Sequence, residues 1–336
     1  MSFCYWFLVF PDVARPIGGI KQIHRLAESF RHSGRQVHLI QDSDDFHPGW
    51  FNSELPVVSK QRWLQIHQDL DPNSNFVVIP ETFAPALERY SFGLPVVIFN
   101  QNSSYSFGAD SSTRIYKPSV VLKAYHSSQV RHVICVSKYD YDVLRLGFKL
   151  PISKLSLIPN AIETELCLPD LPKKKRITYM LRKNRLDAVV VSHLLSSLDT
   201  GWSLNPIENV PHSDVLNQLK TSLIFLSFGH PEGFGLPVAE AIACGCAVVG
   251  YSGLGGRELF ALADTYSTSY EVPFGDWMGF VSGTNHFIRR FSQSRSEFLS
   301  QLNSASNRLR QQYSFSEMCR TSLAIVTQIE NNVPHS

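Results

Sequence analysis

The sequence predicts an α/β protein made of two Rossmann-like, doubly wound domains. Short apolar runs alternate with amphipathic helices along the chain, and this alternation is typical of parallel sheets covered by helices on both faces. The length of 336 residues exceeds that of a typical single domain. A polar, proline-bearing stretch near residues 163–175 separates two alternating sets. Two domains of similar size are therefore expected.

The amino-acid composition indicates a globular protein and argues against binding to nucleic acid. Hydrophobic residues make up 43% of the chain and charged residues 18%, which is ordinary for a soluble globular protein. The formal net charge is +2 and aromatic and basic residues do not interleave, so we expect no nucleic-acid partner. The six cysteines are scattered, and several lie in apolar segments, which predicts buried, reduced thiols.

The apolar start of the chain is interpreted as a first buried strand at residues 3–10. It lacks the basic region of a signal peptide and runs directly into Pro11-Asp12. No later apolar run approaches the roughly 20 residues that cross a bilayer. We therefore expect a cytoplasmic protein, with peripheral contact at the inner membrane surface left open.

The first alternating set predicts a domain of residues 1–165. After the first strand come a Gly18-Gly19 turn and a helix with apolar residues at helical spacing, which ends near Gly34. Further strands are predicted at residues 37–39, 76–79, 95–99 and 132–136, with helices at about 82–90 and 138–146.

The second set begins at residues 177–181 and predicts a domain of residues 176–312. Just before it, residues 173–176 are four consecutive basic residues, which are interpreted as a solvated edge. A last helix is expected within residues 313–330.

One segment of the second set says most about function, residues 230–240, which contain a glycine-rich turn. The apolar run before it, residues 223–228, has the character of a buried strand, and Pro237 suits the first position of a helix. Gly245 closes that helix, and a strand follows at residues 247–249. The segment is therefore a βαβ unit.

This turn carries the residues of a ligand site. Gly233 and Gly235 let the backbone approach a ligand, and the free N–H groups at a helix start favour an anion such as a diphosphate. Glu232 comes before these glycines and Glu240 one turn into the helix, so two carboxylates can accept hydrogen bonds from hydroxyl groups. The simpler alternative is a plain turn with two solvated glutamates.

The combination of these features resembles a known family. Residues 225–258 contain the two acids eight positions apart, the Gly-Phe-Gly-Leu-Pro turn and the helix Ala-Glu-Ala-Ile-Ala-Cys-Gly. They resemble the donor-sugar segment of GT-B glycosyltransferases, most closely family 4, the retaining nucleotide-sugar enzymes. The resemblance implies two domains facing across a cleft, with a C-terminal helix packed back on the first. It implies a UDP-, GDP- or ADP-linked sugar donor and a glycan or lipid-linked acceptor.

The resemblance also implies roles for residues of the turn. Glu240 would bind the ribose hydroxyls, and Glu232 would act in catalysis by binding hydroxyls of the transferred sugar. Main-chain N–H groups of Phe234, Gly235 and Leu236 would contact the phosphate or the sugar.

Two other glycine turns are candidates for the same site. Residues 252–258 follow the next strand and are expected to line the same pocket, with a turn that binds no ligand as the alternative. Gly18 and Gly19 correspond to the family's loop that approaches the donor, with a plain helix cap as the alternative.

Fixed positive groups would stabilise the leaving group of such a transfer, because the leaving diphosphate is strongly negative. Arg182 and Lys183 follow the first strand of the second domain, and Arg185 is a third candidate. By the resemblance Arg182 is the firmer catalytic assignment, since the family usually spaces its two basic groups further apart. The alternative for all three is a solvated basic edge.

Asn100-Gln101-Asn102 stand where many relatives have a histidine. Amides can hydrogen-bond a sugar but cannot act as a base. The segment therefore indicates either a subfamily in which the donor phosphate handles the proton or a site of reduced activity. His230 precedes Glu232 but is given no catalytic role, because a single histidine is more often structural.

Two aspartate pairs share the spacing of metal-dependent glycosyltransferases of another fold. These pairs, Asp42 with Asp44 and Asp69 with Asp71, both lie in polar connections, so solvated turns are the preferred interpretation. We expect no catalytic metal, and no cofactor beyond the nucleotide sugar as co-substrate.

The leading interpretation is a metal-independent retaining glycosyltransferase that moves a hexosyl or related group by front-face transfer. A non-catalytic nucleotide-sugar sensor or scaffold is the alternative, motivated by residues 100–102. A phosphorylase or epimerase on the same architecture is disfavoured, because the chain is short and has no recognisable pyridoxal lysine segment.

Overall fold

Two parallel β-sheets organise the chain, one in each of two structural units. The computed structural model describes residues 3–108 and 115–331. The first unit comprises Met1–Ala161 with Phe315–Ser336, and the second comprises Ile162–Ser314. The predicted fold class, two α/β domains with parallel sheets, is confirmed.

The described part of the first unit has a seven-stranded sheet. Its strands are β1 (Cys4–Leu8), β2 (Gln36–Gln41), β3 (Val57–Ser59), β4 (Asn75–Pro80), β5 (Val96–Asn100), β6 (Val130–Cys135) and β7 (Leu155–Leu157). Their spatial order is β3-β2-β1-β4-β5-β6-β7, and all neighbours are parallel. The helices among them are α1 (Gly18–His32), α2 (Lys60–Ile66), α3 (Leu87–Tyr90), α4 (Pro118–Tyr125) and α5 (Lys138–Asp142).

Two predicted helices of the first unit differ from the observed ones. The segment predicted as a helix at residues 82–90 begins as a 3-10 turn, Glu81–Ala86, and is α-helical only in α3. The helix predicted at residues 138–146 is α-helical only in α5 and continues as a π-helical turn, Val143–Gly147.

The second unit has a five-stranded parallel sheet among the residues that the structure describes. Its strands are β8 (Lys174–Met180), β9 (Ser203–Ile207), β10 (Ser222–Ser227), β11 (Ala247–Gly250) and β12 (Ser269–Glu271). Their spatial order is β12-β11-β10-β8-β9, with β10 buried at every residue. Its helices are α6 (Arg185–Ser196), α7 (His212–Thr221), α8 (Leu236–Ala243), α9 (Arg257–Asp264), α10 (Trp277–Gln293) and α11 (Arg295–Gln312).

Each sheet has one place where strand addition changes direction. In the first sheet this point lies between β1 and β4, and in the second between β8 and β10. Ligands of open α/β sheets bind outside the carboxyl ends of the strands at such switch points. The loops after these four strands are therefore the first places to search for a site.

The C-terminal helix, α12 (Phe315–Asn331), belongs to the first unit and packs on α1. Ser322 is hydrogen-bonded to Ser29 of α1 at 2.8 Å between the two Oγ atoms. Glu330 Oε1 accepts hydrogen bonds from Tyr5 Oη (3.2 Å) and Arg35 Nε (2.9 Å). These contacts fix the middle of α12 to α1 and its C-terminal end to Tyr5 of β1 and to Arg35.

The basic run at residues 173–176 corrects one interpretation of the sequence. Lys173 is partly buried rather than solvated, and burial lowers its pKa. Its Nζ donates hydrogen bonds to the main-chain oxygens of Leu219, Ser222 and Cys244, at 3.2, 2.8 and 2.6 Å. The remaining residues of the run lie in β8, where the two lysines are exposed. The first lysine therefore joins the ends of α7 and α8.

The cysteines are all free thiols, and five of the six are buried, as the sequence predicts. Among the helices in residues 3–108 and 115–331, none is both long enough and apolar enough to span a membrane.

Candidate active site

The glycine-rich turn at residues 229–235 connects β10 to α8 at the carboxyl edge of the second sheet. Gly235 is the N-cap of α8 with a φ of +91°, a left-handed conformation that glycine adopts without strain. The helix begins at Leu236, so Pro237 is its second residue rather than its first. No intrahelical hydrogen bond is lost, because the N–H groups of the first turn have no partner inside a helix.

Three main-chain N–H groups at this helix start donate no hydrogen bond to any residue that the structure describes. They belong to Phe234, Gly235 and Leu236. The Phe234 side chain is buried and packs against the ring of Tyr313, with ring centroids 5.3 Å apart. The side chain therefore serves the core, and the main chain is what this turn offers to an anion.

A second glycine turn, residues 252–256, packs directly on the first. The main-chain nitrogen of Glu232 donates to Gly253 O at 2.8 Å, and that of Gly255 donates to Glu232 O at 3.0 Å. A Cβ atom on Gly255 would lie only 2.0 Å from the main-chain oxygen of Gly233. The close approach of the two turns therefore requires glycine here.

Arg182 and Lys183, which follow β8, both lie beside Glu232. Lys183 Nζ is 3.0 Å from Glu232 Oε1 and donates to the main-chain oxygen of Pro231 at 2.6 Å. The Arg182 guanidinium is 3.8 Å from the same carboxylate oxygen, and its side chain is 62% exposed against 23% for Lys183. The structure thus brings the three predicted catalytic residues together, with Lys183 the nearer and more enclosed cation.

The two residues that follow have other partners. Asn184 Nδ2 donates to the main-chain oxygens of Phe228 (2.7 Å) and His230 (3.1 Å), which joins the end of β8 to the start of the glycine turn. Arg185, the third basic candidate of the sequence analysis, pairs with Glu208 instead.

Glu240, on α8, is hydrogen-bonded to a histidine that sequence reasoning missed. His212 is the first residue of α7, and its Nε2 lies 2.8 Å from Glu240 Oε1. On the other side of the ring, Nδ1 lies 3.9 Å from Glu163 Oε2. The Glu240 side chain is only 16% exposed, so its orientation is fixed largely by this contact. No local spacing links residues 212 and 240, because only the fold brings α7 to α8.

In the first unit, Gly18 and Gly19 are the first two residues of α1 rather than a turn before it. Gln101 Nε2 donates to the main-chain oxygen of Gly19 at 3.2 Å. The helix start is therefore held by Gln101, which directly follows β5.

A buried carboxyl group fixes that segment in turn. Glu81 follows β4, is 3% exposed, and accepts a hydrogen bond at Oε2 from the main-chain nitrogen of Gln101 (3.0 Å). Burial raises the pKa of Glu81 to about 8, although the N–H groups of Gln101 and Asn102 oppose the shift. Asn100 is fully buried, and its Nδ2 donates to Tyr125 Oη at 2.7 Å. Sequence reasoning missed Glu81, since a single glutamate after a proline carries no pattern.

Both aspartate pairs of the sequence analysis contain a carboxylate that accepts a hydrogen bond from a main-chain nitrogen. Asp44 Oδ1 accepts a hydrogen bond from the main-chain nitrogen of Ser59, and Asp71 Oδ1 accepts one from Asn73 at 2.9 Å. Within residues 3–108 and 115–331, no group of three or more His, Cys, Asp or Glu side chains is arranged to share a metal ion.

The segment that contains β10, both glycine turns and the two glutamates is also the part that matches a known family. Residues 191–290 match the Glycosyl transferases group 1 family. The match confirms the resemblance to group 1 glycosyltransferases that residues 225–258 indicate. The numbered family 4 stays a prediction.

One curated relative is an alpha-1,6-glucosyltransferase of Actinobacillus pleuropneumoniae serotype 7 (strain AP76). It is 25% identical over 196 residues, which are 55% of this chain and 52% of that protein. The matched region therefore spans about half the length of this relative.

Solved structures share the whole fold at low sequence identity. Anabaena HepE in complex with UDP and glucose has a TM-score of 0.70 and 11% identity, covering 96% of this chain and 99% of that one. WaaG, a glycosyltransferase involved in lipopolysaccharide biosynthesis, has a TM-score of 0.65 and 13% identity, covering 97% and 100%. Sucrose-phosphate synthase from Thermosynechococcus elongatus has a TM-score of 0.67 and 13% identity, covering 98% and 99%. These neighbours show that the fold is GT-B.

Proposed function

We propose that this chain is a retaining glycosyltransferase, which moves a sugar from a nucleotide diphosphate sugar to a hydroxyl group of a glycan or lipid-linked acceptor. The observation that carries the proposal is the start of α8, where three N–H groups without partners in the described chain lie at the switch point of the second sheet. Such a helix start suits a phosphate group. The two basic side chains beside Glu232 add positive charge on the same turn.

Donor binding exchanges the partners of these charges. Phosphate oxygens replace the Glu232 carboxylate beside Lys183 and Arg182, because the diphosphate carries more charge and also bonds to the helix start. Glu232 is then left to accept hydrogen bonds from hydroxyl groups of the transferred sugar. Glu240 accepts hydrogen bonds from the ribose, and its contact with His212 holds the carboxylate in place.

The chemical step follows from these positions. The bond between the anomeric carbon and the phosphate oxygen breaks, and a bond to the acceptor oxygen forms on the same face of the sugar. The acceptor proton goes to an oxygen of the leaving diphosphate, so the step needs no protein base or nucleophile. This route agrees with Asn100 and Gln101, whose amides cannot take a proton and already have structural partners.

Lys183, Arg182 and the helix start supply the positive charge that a divalent cation supplies in other transferases. We therefore propose that turnover is independent of metal ions. Transfer measured with and without excess EDTA tests this, and loss of activity that Mg²⁺ or Mn²⁺ restores would contradict it.

Calorimetric titration of the full chain with nucleotide sugars tests the donor assignment. UDP-glucose is the first ligand to try, since a structural neighbour has been solved with it, followed by GDP- and ADP-linked glucose. Glu240→Ala is expected to weaken binding about 10- to 100-fold, the usual cost of a hydrogen bond to a charged group. Glu271→Ala, an exposed glutamate on β12, is the matched control and leaves affinity unchanged. Equal affinities in the two variants would contradict the assignment.

A second candidate function is a nucleotide-sugar sensor, which the buried and fully engaged Asn100 favours over a catalytic group at that position. Incubation with radiolabelled nucleotide sugar and a panel of oligosaccharides separates the two functions. A sensor binds the donor without hydrolysing it or transferring from it, whereas a transferase forms labelled product.

A further inference from the structure

An exposed apolar patch lies at the carboxyl edge of the second sheet. It consists of two aromatic and two aliphatic side chains, those of Phe274, Trp277, Leu186 and Met278. Phe274 lies in the connection from β12 to α10, Trp277 and Met278 begin α10, and Leu186 is the second residue of α6. Apolar side chains that are grouped on a surface, rather than scattered singly, mark binding sites.

The two aromatic rings of this patch are held in place by their neighbours. Phe274 stacks on the His230 ring, with centroids 4.2 Å and planes 22° apart, and its centroid is 5.1 Å from that of Tyr251. Trp277 Nε1 donates to Asp187 Oδ1 at 3.0 Å, and Tyr251 Oη donates to the other oxygen of this carboxylate at 2.9 Å. Tyr251 and Asp187 therefore join the two aromatic residues into one surface.

The connection that carries Phe274 is fixed as well. The main-chain nitrogen of Gly275 donates to Tyr251 Oη at 3.1 Å, and Asp276 caps α10 by accepting a hydrogen bond from the main-chain nitrogen of Gly279 at 2.9 Å. Phe274 is nevertheless 59% exposed. Rings that are already in place lose little conformational freedom when a ligand binds, so the patch is a preorganised surface.

The charges around the patch define the class of ligand. Glu271 and Asp276 are exposed at the end of β12 and in the connection to α10, and residues 271–288 contain no lysine or arginine. Arg185, at the start of α6, is paired with Glu208. Carboxylates without cations beside them repel an anionic bilayer or an acidic polysaccharide, but they accept hydrogen bonds from hydroxyl groups. The patch therefore suits a neutral ligand with hydroxyl groups.

A sugar ring has the shape that fits such a surface. It carries C–H groups on one face, which pack on a flat aromatic ring, and hydroxyl groups around its edge, which reach carboxylates. The patch is also continuous with the glycine turn, because His230, on which Phe274 stacks, lies two positions before Glu232. A glycan on the patch would therefore border the proposed donor site.

We propose that Phe274 and Trp277 bind sugar rings of a neutral glycan on the second unit and, resting on the proposed glycosyltransferase function, that this glycan is the acceptor. The rings on the patch are not the one whose hydroxyl group reacts. The patch therefore favours an acceptor of several sugar rings over a monosaccharide.

Saturation-transfer NMR on the full chain tests the proposal with the neutral oligosaccharides maltotetraose, isomaltotetraose, cellotetraose and mannotetraose. The variant Phe274→Leu/Trp277→Leu keeps an apolar surface but removes both flat rings. The matched control Phe274→Tyr/Trp277→Phe keeps a flat ring at both positions. We expect at least one tetrasaccharide to bind the wild type and the control, and to bind the leucine variant at least about tenfold more weakly. No binding to the wild type, or equal affinities of the two variants, would overturn the proposal.

A label on the unsubstituted ring separates loss of the site from loss of folding. The chain has five tryptophans, and fluorotryptophan makes them visible by fluorine NMR. The Trp277 signal is assigned by its absence from Trp277→Phe. A bound tetrasaccharide should shift this signal but not that of Trp63, which is buried in the first unit. A tetrasaccharide that binds without shifting the Trp277 signal would overturn the proposal.

The aliphatic members of the patch test a competing occupant, a lipid surface. Sedimentation with vesicles of phosphatidylglycerol and phosphatidylethanolamine should be the same for the wild type and for Leu186→Ala/Met278→Ala, because the carboxylates beside the patch repel an anionic bilayer. Vesicle binding that this variant reduces would assign the patch to a membrane and would overturn the glycan proposal.

The acceptor assignment is tested with the tetrasaccharide that binds. Offered with a nucleotide sugar, it should show a KM at least about tenfold higher in the leucine variant, while kcat and the KM of the donor are unchanged. Transfer to the tetrasaccharide with an unchanged acceptor KM would overturn the acceptor assignment alone. If the wild type binds a tetrasaccharide but no nucleotide sugar, the proposed function fails and the patch remains a glycan site.

Discussion

The two sheets of this chain each have a switch point, but the loops that follow the strands there are built differently. In the second unit the loop after β10 has main-chain N–H groups without partners in the described chain, and the cations beside it are partly exposed, with Arg182 at 62%. In the first unit the side chains at the ends of β4 and of its neighbour β5 are buried and hydrogen-bonded. Glu81 is 3% exposed and bonded to the next loop, and Asn100 is fully buried.

This difference indicates that the loops of the second unit bind a ligand, whereas the buried groups of the first unit position loops. A charged ligand needs groups that are held in place but still have hydrogen-bonding capacity to give, and the second unit supplies them. Glu81 and Asn100 of the first unit already form hydrogen bonds with neighbouring residues, and these bonds hold the loops in position. Substitution of Arg182 or Lys183 should therefore change ligand binding and turnover, whereas substitution of the buried Glu81 or Asn100 should change stability.

The largest effect is expected for Lys183→Ala. Loss of a preorganised positive group at the leaving diphosphate should lower kcat about 10²- to 10³-fold. Arg182→Ala should lower it less, because the more exposed guanidinium is better screened by water and salt. Steady-state kinetics with a nucleotide sugar would measure both effects.

Lys174→Ala is the control for charge, since this lysine is exposed at the first residue of β8, at the opposite end of the strand from Arg182 and Lys183. It should leave kcat unchanged. If Lys183→Ala were as active as this control, Lys183 would not stabilise the leaving diphosphate. The proposed difference between the two units would then be wrong.

Two glycines give a direct comparison between the units. A Cβ on Gly255 would lie 2.0 Å from a main-chain oxygen, whereas one on Gly19 would lie 3.4 Å from the flexible Gln101 side chain. Gly255→Ala should cost about 1–3 kcal/mol of stability and separate the two turns, with loss of nucleotide-sugar binding. Gly19→Ala should be tolerated. Thermal unfolding and calorimetry would measure both variants, and equal behaviour would contradict the packing argument.

The glycine turn was predictable from the sequence because local rules determine it. A buried strand, two glycines and a helix with proline in its first turn are typical of a βαβ unit, and β10 and α8 follow that pattern. His212, Glu81 and Lys173 were not predictable, because their partners lie far away in the sequence. Lys173 shows the limit clearly, since a run of four basic residues suggests a solvated edge until the fold places three carbonyl groups around its first member.

His212 is a residue of the second unit that holds another side chain in position, as the buried groups of the first unit do. Its partner is Glu240. His212→Ala should weaken nucleotide-sugar affinity about tenfold by releasing Glu240, with a smaller change in kcat. A double-mutant cycle separates this role from direct contact, since His212→Ala should add nothing in a Glu240→Ala background. His193→Ala, exposed on α6, is the control. Additive losses would show that His212 contacts the donor itself.

At Glu81 the expected effect is on stability against pH and not on ligand binding or turnover. Its pKa is raised to about 8 in the folded chain from an ordinary value of 4.5, so the folded state holds a proton that the unfolded state has lost across this window. The stability gained from this difference is present below about pH 4.5 and is lost as the pH rises through about 8. Wild-type stability should therefore fall between pH 6 and pH 9 by more than that of Glu81→Gln.

Glu81→Gln isolates this contribution because the amide keeps an oxygen that can accept the Gln101 N–H but cannot ionise. Urea unfolding of both proteins at pH 6, 7.5 and 9 would give the difference in stability at each pH, so that histidines and other shared groups cancel. Glu88→Gln, at an exposed position on α3, should follow the wild type. Parallel pH curves for the wild type and Glu81→Gln would mean that Glu81 is already charged at neutral pH, and the first unit would then hold a fixed negative charge at its switch point.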